Sequence, residues 1–278
     1  MSGCPIRLYY LKLVHHFTVV REGVAVDLIH AATSLSKTAI KDCLNKGGIW
    51  LKTRSKKEQR IRKSKLILQP QDRISVYYDD SILQLPIPAP YCLFTCRQYS
   101  IWNKPAGLLS QGTRYGDHCS LMRFAEKNGG ITIPYLVHRL DREASGLVLL
   151  AHSSKAAAQF SELFREGKIE KRYRAIAKGI VAREKDTFCI ERPLNGKMAA
   201  TTVTVVKHDQ LLQQSTLDIL LHTGRYHQIR QHLSAMGHPL VGDTRYGGGK
   251  NQEGLQLTAC SLAFLCPFTQ KQRKIVLD

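Results

Sequence analysis

Two stretches of this 278-residue chain gather side chains able to do chemistry. The first runs Val137-His138-Arg139-Leu140-Asp141-Arg142-Glu143-Ala144-Ser145-Gly146-Leu147-Val148-Leu149-Leu150-Ala151. A loop with one imidazole, two guanidiniums and two carboxylates passes through Ser-Gly into an apolar strand, which sets polar groups at the edge of a rigid sheet, where sites are commonly built. Asp141 stands between Arg139 and Arg142, cations suited to keeping a carboxylate charged for use as nucleophile or base. A surface ion-pair cluster is the plainer alternative. The second stretch runs from Leu221 through Gly224-Arg225-Tyr226-His227-Gln228-Ile229-Arg230-Gln231-His232-Leu233, followed by Gly237-His238-Pro239-Leu240-Val241-Gly242-Asp243. Imidazoles at His222, His227 and His232 raise the question of a metal. Five residues turn a helix by about 500°, so successive rings point about 140° apart, and in a strand an odd step reverses the face. With no C-x-x-C or His-Glu-x-x-His nearby, no metal is expected. Arg225 and Arg230 read instead as donors to a carboxylate or to phosphates.

The elements that must hold these residues are legible from periodicity. Strands are expected at 92–95, 99–103, 146–151, 172–181, 201–206 and 216–222, with a helix at 155–166. Upstream, apolar residues at Leu28, Ile29, Ala32, Leu35, Ala39, Ile40 and Leu44 suit two short helices broken near Thr33 to Ser36, with Ser36 capping the second. Gly47 and Gly48 end that helix, Ile49-Trp50-Leu51 begins a strand, and the alternating Ile74, Val76 and Tyr78 make another. Residues 85–90 repeat proline and read as a stiff linker. The expected domains are therefore 1–80, a linker over 81–90, and 91–278.

Charge narrows the partner. The chain carries +19, and residues 36–73 hold twelve Lys or Arg against three acids, a net +9 in 38 residues. Such a balance points to a polyanion, nucleic acid or an anionic membrane surface. No run approaches the ~18 apolar residues of a membrane span, and Lys12, His15 and His16 interrupt any apolar leader behind Arg7. A cytoplasmic protein without membrane contact is expected. Its eight cysteines, Cys4, Cys43, Cys92, Cys96, Cys119, Cys189, Cys260 and Cys266, are irregularly spaced and read as reduced thiols.

The order helix, helix, strand, basic loop, strand resembles the S4 RNA-binding module. The matching residues are Val26-Asp27, Leu35-Ser36-Lys37, Ile40-Lys41, Gly48-Ile49-Trp50-Leu51 and Asp72-Arg73-Ile74. Gln71 stands where that family usually has Gly, and Lys52-Thr53 where Asn is usual. The two chemical stretches are similar to the signature blocks of the RluA family of pseudouridine synthases, H-R-L-D-x-x-T-S-G-L-L-L-L-A and G-R-x-H-Q-I-R-x-H-L with G-H-P-L-V-G-D. Asn103-Lys104-Pro105-Ala106-Gly107 and Lys171-Arg172-Tyr173-Arg174-Ala175 agree as well, and the likeness extends to members resembling RluC and RluD with an S4-like module in front. Ala144 departs from the family's Thr, Ser110-Gln111 from a common His, and Thr258 and Cys266 from frequent His positions.

The resemblance implies an α+β catalytic domain on a mixed, mostly antiparallel sheet with flanking helices, and conversion of uridine in RNA to pseudouridine without a cofactor. Asp141 matches the essential carboxylate, Arg225 its cationic partner, and Tyr173 the aromatic that stacks on the extruded base. Arg139 matches a residue able to fill the vacated space. His138 and His227 fall among the RNA-contacting positions, and Lys104, Arg230, Lys37 and Lys41 among the phosphate-binding ones. A monomer acting on large-subunit ribosomal RNA is expected, with transfer RNA the alternative. Two other classes compete: an RNA-binding ribosome-assembly factor with an idle site, and a metal-dependent RNA hydrolase. The intact set Asp141, Tyr173 and Arg225 disfavours the first, and the imidazole spacing the second.

Overall fold

The computed structural model of the protein describes residues 11–277; Cys4 and Arg7 lie outside the described residues. The chain forms two compact units, one of residues 1–87 with 111–124 and the other of 88–110 with 125–278.

In the first unit the order is β1 (Lys12–Thr18), β2 (Gly23–Val24), α1 (Ala25–Thr33), α2 (Lys37–Lys46), β3 (Ile49–Lys52), β4 (Gln59–Arg60), β5 (Ile67–Leu68), β6 (Arg73–Asp79) and α3 (Asp80–Leu83). The two short helices fall where the periodicity put them. Ser34 turns left-handed at the end of α1, Ser36 caps α2 by accepting from the Ala39 amide, and Gly47 closes α2 in the left-handed region. Their apolar faces, with Ile29, Ile40 and Leu44, meet Ile49, Ile74 and Val76 of the sheet β1-β6-β3-β4 in one core. The expected linker begins as helix: Asp79 caps α3 by accepting from the Ser81 amide, so only the proline-bearing stretch after Leu83 is irregular before residue 91. Residues 111–124 also join this unit, through Trp50 donating to the Arg114 carbonyl at 2.9 Å and Arg62 pairing with Asp117 at 2.5 Å, contacts that no local pattern encodes.

The second unit is built on one ten-stranded sheet. Its elements are β7 (Tyr91–Thr95), β8 (Tyr99–Lys104), β9 (Tyr135–Leu136), β10 (Ser145–Ala151), β11 (Glu170–Lys178), β12 (Thr187–Glu191), β13 (Ala200–Asp209), β14 (Gln214–Leu221), β15 (Leu257–Leu265) and β16 (Gln272–Val276), with α5 (Ser154–Arg165) and α6 (Gln228–Ala235). Helix α4 (Leu121–Asn128) spans the change of unit. The strand order is β12-β13-β14-β11-β15-β10-β8-β7, with β16 on β15 and β9 on β10. Every pairing is antiparallel except β10 with β15, so the sheet is mixed and mostly antiparallel, as the resemblance implied.

Strand β10 explains its own sequence. It lies between β15 and β8, its residues from Gly146 to Ala151 are buried, and an unbroken apolar run is what a strand covered on both faces needs. One face packs Leu147 and Leu149 with Tyr99, Ile101, Phe264 and Phe160 of α5. At the start of the strand Gly146 has φ +113°, and a Cβ there would run into the backbone of Ala259 on the parallel neighbour. The Ser-Gly step is therefore what lets β10 and β15 approach. Gly146→Ala is expected to cost at least ~2 kcal/mol, from a disfavoured backbone region and an overpacked contact together; urea unfolding of the two proteins measures it.

Candidate active site

The Asp141 loop joins β9 to β10, and the segment after β8 clamps it. The Gly107 amide donates to the Arg142 carbonyl at 2.8 Å, and Arg142 Nε returns a bond to the Gly107 carbonyl at 3.3 Å. Ser110 Oγ donates to the Leu140 carbonyl at 2.9 Å and accepts from the Leu140 amide at 3.0 Å, one residue before Asp141. Lys104 is fully buried, and its ammonium donates to the carbonyls of Leu108 at 2.8 Å, Ala144 at 2.7 Å and Pro105 at 3.1 Å. Carbonyl dipoles of this clamp satisfy the charge that burial would otherwise penalise. Expected to bind phosphate, Lys104 instead holds the loop.

His138 is likewise taken up by the fold. Its Nε2 accepts from the Leu149 amide at 2.9 Å and its ring packs against Phe164, so the fold holds it as a neutral imidazole. Burial lowers its pKa to about 3, with Lys171 the lesser cause. Two departures from the family pattern serve the same scaffold through their side chains: Ser110 holds Leu140, and Thr258 bonds Ser145 at 2.8 Å.

Asp141 meets α6. Arg230, nearly inaccessible, gives Nε to Asp243 Oδ2 at 2.7 Å and Nη2 to Asp243 Oδ1 at 2.9 Å, a bidentate pair. Its remaining Nη1 reaches Asp141 Oδ2 at 3.2 Å and Glu143 at 3.5 Å. Asp243 also accepts from the amides of Arg245 and Tyr246, each at 3.1 Å, and its carboxyl is held below the ordinary range by these donors against the opposing, larger effect of burial. The cationic partner of Asp141 is thus Arg230 and not Arg225. Arg225 is exposed and donates to the Met198 carbonyl at 3.1 Å, because it precedes the first turn of α6, whereas Arg230 lies on the helix face turned inward. Engaged by Asp243, Asp141 and Glu143, Arg230 is also not the free phosphate ligand expected.

Around this pair the turn is fixed by Gln228, which accepts from Thr223 at 2.7 Å and the Arg225 amide at 3.0 Å and donates to the Ala200 carbonyl at 2.9 Å. His227 sits at φ +49° ahead of α6 with Nε2 3.5 Å from Asp141 Oδ1 and 3.4 Å from Arg230 Nη1, and Nδ1 3.1 Å from the Tyr246 hydroxyl. Burial lowers its pKa and favours the neutral imidazole, whose Nδ1 shares a hydrogen bond with the Tyr246 hydroxyl. Tyr173, on β11, is buried; burial first and the Asp141 charge second push its hydroxyl above the ordinary tyrosine range. The structure therefore brings together Asp141, Tyr173, His227 and Arg230. Arg139 is exposed with no hydrogen bond among the described residues, and Lys37 and Lys41 stand exposed on α2 of the first unit, Lys37 paired with Asp27 at 2.7 Å. No cluster of three metal-ligating side chains occurs among the described residues, and no described helix is long and apolar enough to cross a membrane. Nothing in the sequence singles out Asp243, Gln228 or Tyr246; Asp243 follows Gly242 at the end of Gly237-His238-Pro239-Leu240-Val241, but its spacing does not tell which arginine it faces.

Residues 98–235 match the RNA pseudouridylate synthase family. The chain is 35% identical over 188 residues to the dual-specificity RNA pseudouridine synthase RluA of Vibrio vulnificus (strain CMCP6), covering 59% of this chain and 73% of that one. It is 31% identical over 204 residues to tRNA pseudouridine synthase C of Vibrio parahaemolyticus, covering 61% and 82%. The solved structure of human RNA pseudouridylate synthase domain containing 4 shares the fold, with a TM-score of 0.54 and 24% identity over 67% of this chain and 87% of that one.

Two expectations follow. Arg230→Met strands the buried Asp243 charge and should cost about 3–5 kcal/mol, whereas Arg225→Met should stay within about 0.5 kcal/mol; urea unfolding separates them. His138 titrates lower folded (about 3) than unfolded (about 6.5), so its contribution is complete above pH 6.5 and is lost as pH falls toward 3. Unfolding free energy should drop between pH 6.5 and 5 by up to about 1.4 kcal/mol per unit from this group, and His138→Gln should flatten that slope.

Proposed function

Since the chain belongs to the RNA pseudouridylate synthase family, isomerases of RNA, we propose that Asp141 is the carboxylate on which it turns uridine into pseudouridine. The observation that carries this reading is the single guanidinium of Arg230 shared between Asp141 and Asp243. Arg230 engages Oδ2 of Asp141, fixing the plane of the carboxylate and leaving Oδ1 for the ribose or ring of the target nucleotide. The N-glycosidic bond then breaks, uracil turns within the site, its C5 bonds the ribose C1′, the C5 proton is lost and N1, freed of the ribose, takes up a proton. Atoms balance without a cofactor.

Tyr173, beside Asp141 and without a hydrogen-bond partner among the described residues, supplies the stacking face for the extruded base. Arg139, unpaired and exposed, fills the space the base vacates, and exposed Arg225 contacts the backbone of the RNA. The first unit acts as an S4-like RNA-binding module through Lys37, Lys41 and the basic β3–β4 loop, with a cytoplasmic monomer as the working form. That module favours large-subunit ribosomal RNA. The relative named as a tRNA pseudouridine synthase supports transfer RNA as the second reading.

Asp141→Asn should abolish tritium release from RNA labelled at uridine C5 while RNA binding stays within about threefold. Equal release from the variant would overturn the assignment of Asp141. Mapping pseudouridine in total RNA from cells with and without this protein then distinguishes the two RNA classes.

A further inference from the structure

The fold shows how it satisfies a buried ammonium at Lys104, which is surrounded by carbonyl acceptors. Lys171 is the contrast. It is 8% exposed, and its ammonium makes no hydrogen bond or ion pair among the described residues. Burial lowers its pKa, and no carboxylate opposes that effect. On β11 the burial alternates, so Lys171 lies on the same sheet face as Tyr173, two residues on.

Its surroundings locate it at the site. A Cβ on Gly224 would come within 3.9 Å of Lys171 Nζ, so the ammonium lies against the turn that leads into α6 and Arg230. Its charge acts on the His138 imidazole, three residues before Asp141. The 223–225 turn thus lies against a cation of β11 whose charge reaches His138 and which has no neutralising partner among the described residues. An uncompensated buried charge costs stability, and a fold that keeps one is leaving room for an anion.

We propose that Lys171 is a substrate-binding residue whose counter-ion is a phosphodiester oxygen of the RNA next to the target uridine. The inference rests on the reading of Asp141 and Tyr173 as the synthase centre. A phosphodiester carries the full negative charge that offsets burial of the ammonium, whereas a uracil carbonyl carries none. The phosphate enters beside the tyrosine that stacks on the base, so one contact both anchors the strand and sets how far the nucleotide reaches toward Asp141.

The test uses the whole protein and bulk cellular RNA labelled with tritium at uridine C5. In Lys171→Met, RNA affinity should fall about tenfold to a hundredfold, the loss of one buried charge-assisted contact, and the slope of log affinity against log salt should become shallower by about 0.7 to 0.9. The apparent KM for tritium release should rise with kcat within about threefold. The free variant should melt at the same temperature or higher, because the unpaired charge is gone. Lys171→Arg should keep the wild-type slope. Weaker binding with an unchanged slope would overturn the phosphate assignment, and a lower melting temperature with unchanged binding would make Lys171 structural. If the methionine variant does not fold, Lys171→Gln takes the same measurements with the same criteria. No tritium release from the wild type would instead sink the synthase reading of the site, while the salt slope still decides whether Lys171 meets a phosphate.

Discussion

One guanidinium organises the centre of this protein. Arg230 donates twice to Asp243 in the interior and once to Asp141, so the orientation of the Asp141 carboxylate is inherited from a pair that is itself fixed by the Arg245 and Tyr246 amides. A buried ion pair is a poor source of net stability, because two charges leave water for each other's company. Its value here is geometric. The fork of the guanidinium admits one arrangement of two carboxylates, and Lys, with a single rotatable ammonium, does not reproduce it. His227 sits between Asp141 and Arg230 in its neutral form and adds no second cation that would compete for the carboxylate.

The other half of the centre is a loop with no regular structure, and loops are ordinarily the mobile part of a domain. Here the clamp of Lys104, Gly107 and Ser110 replaces what a strand ladder would supply, bonding the carbonyls of Leu140, Arg142 and Ala144 from one side. His138 ties the entry of the loop to Leu149 in the central strand, and Gly146 lets that strand press against β15. Two polar residues that resemble ligands for RNA are thus consumed by positioning. A charged residue near a site is informative only once its acceptors are known, and acceptors are backbone atoms that no motif records.

That distinction sets what the sequence made legible. Local patterns sufficed for the two helices before Gly47, the Ser36 cap, the strands around 99–104 and 145–151, and the helix that carries Phe160, because periodicity and capping are properties of neighbouring residues. Asp141, Tyr173 and His227 were legible as motif positions and are brought together. The choice between Arg225 and Arg230 was not, since both follow the same glycine and only the left-handed step at His227, which starts α6, decides which of them turns inward. Nor was the membership of residues 111–124 in the first unit, which depends on Arg62, Trp50 and Asp117 meeting across more than fifty positions of chain.

The chain's +19 charge can now be divided by what each cation faces. Arg230 and Lys104 are neutralised inside the fold, by carboxylates and by carbonyls, and contribute little field at the surface. Lys37, Lys41, Arg139 and Arg225 keep their heads in solvent, where they attract a polyanion but are screened beyond ~8–10 Å at ordinary ionic strength. Lys171 belongs to neither group: its side chain is largely buried, yet its ammonium has no partner among the described residues. Long-range attraction from the exposed cations and short-range selection by one half-enclosed ammonium are different physical tasks. In the role proposed for Lys171, only the second would discriminate a nucleotide seated in the site from RNA merely near it, because its favourable energy appears when water has been displaced.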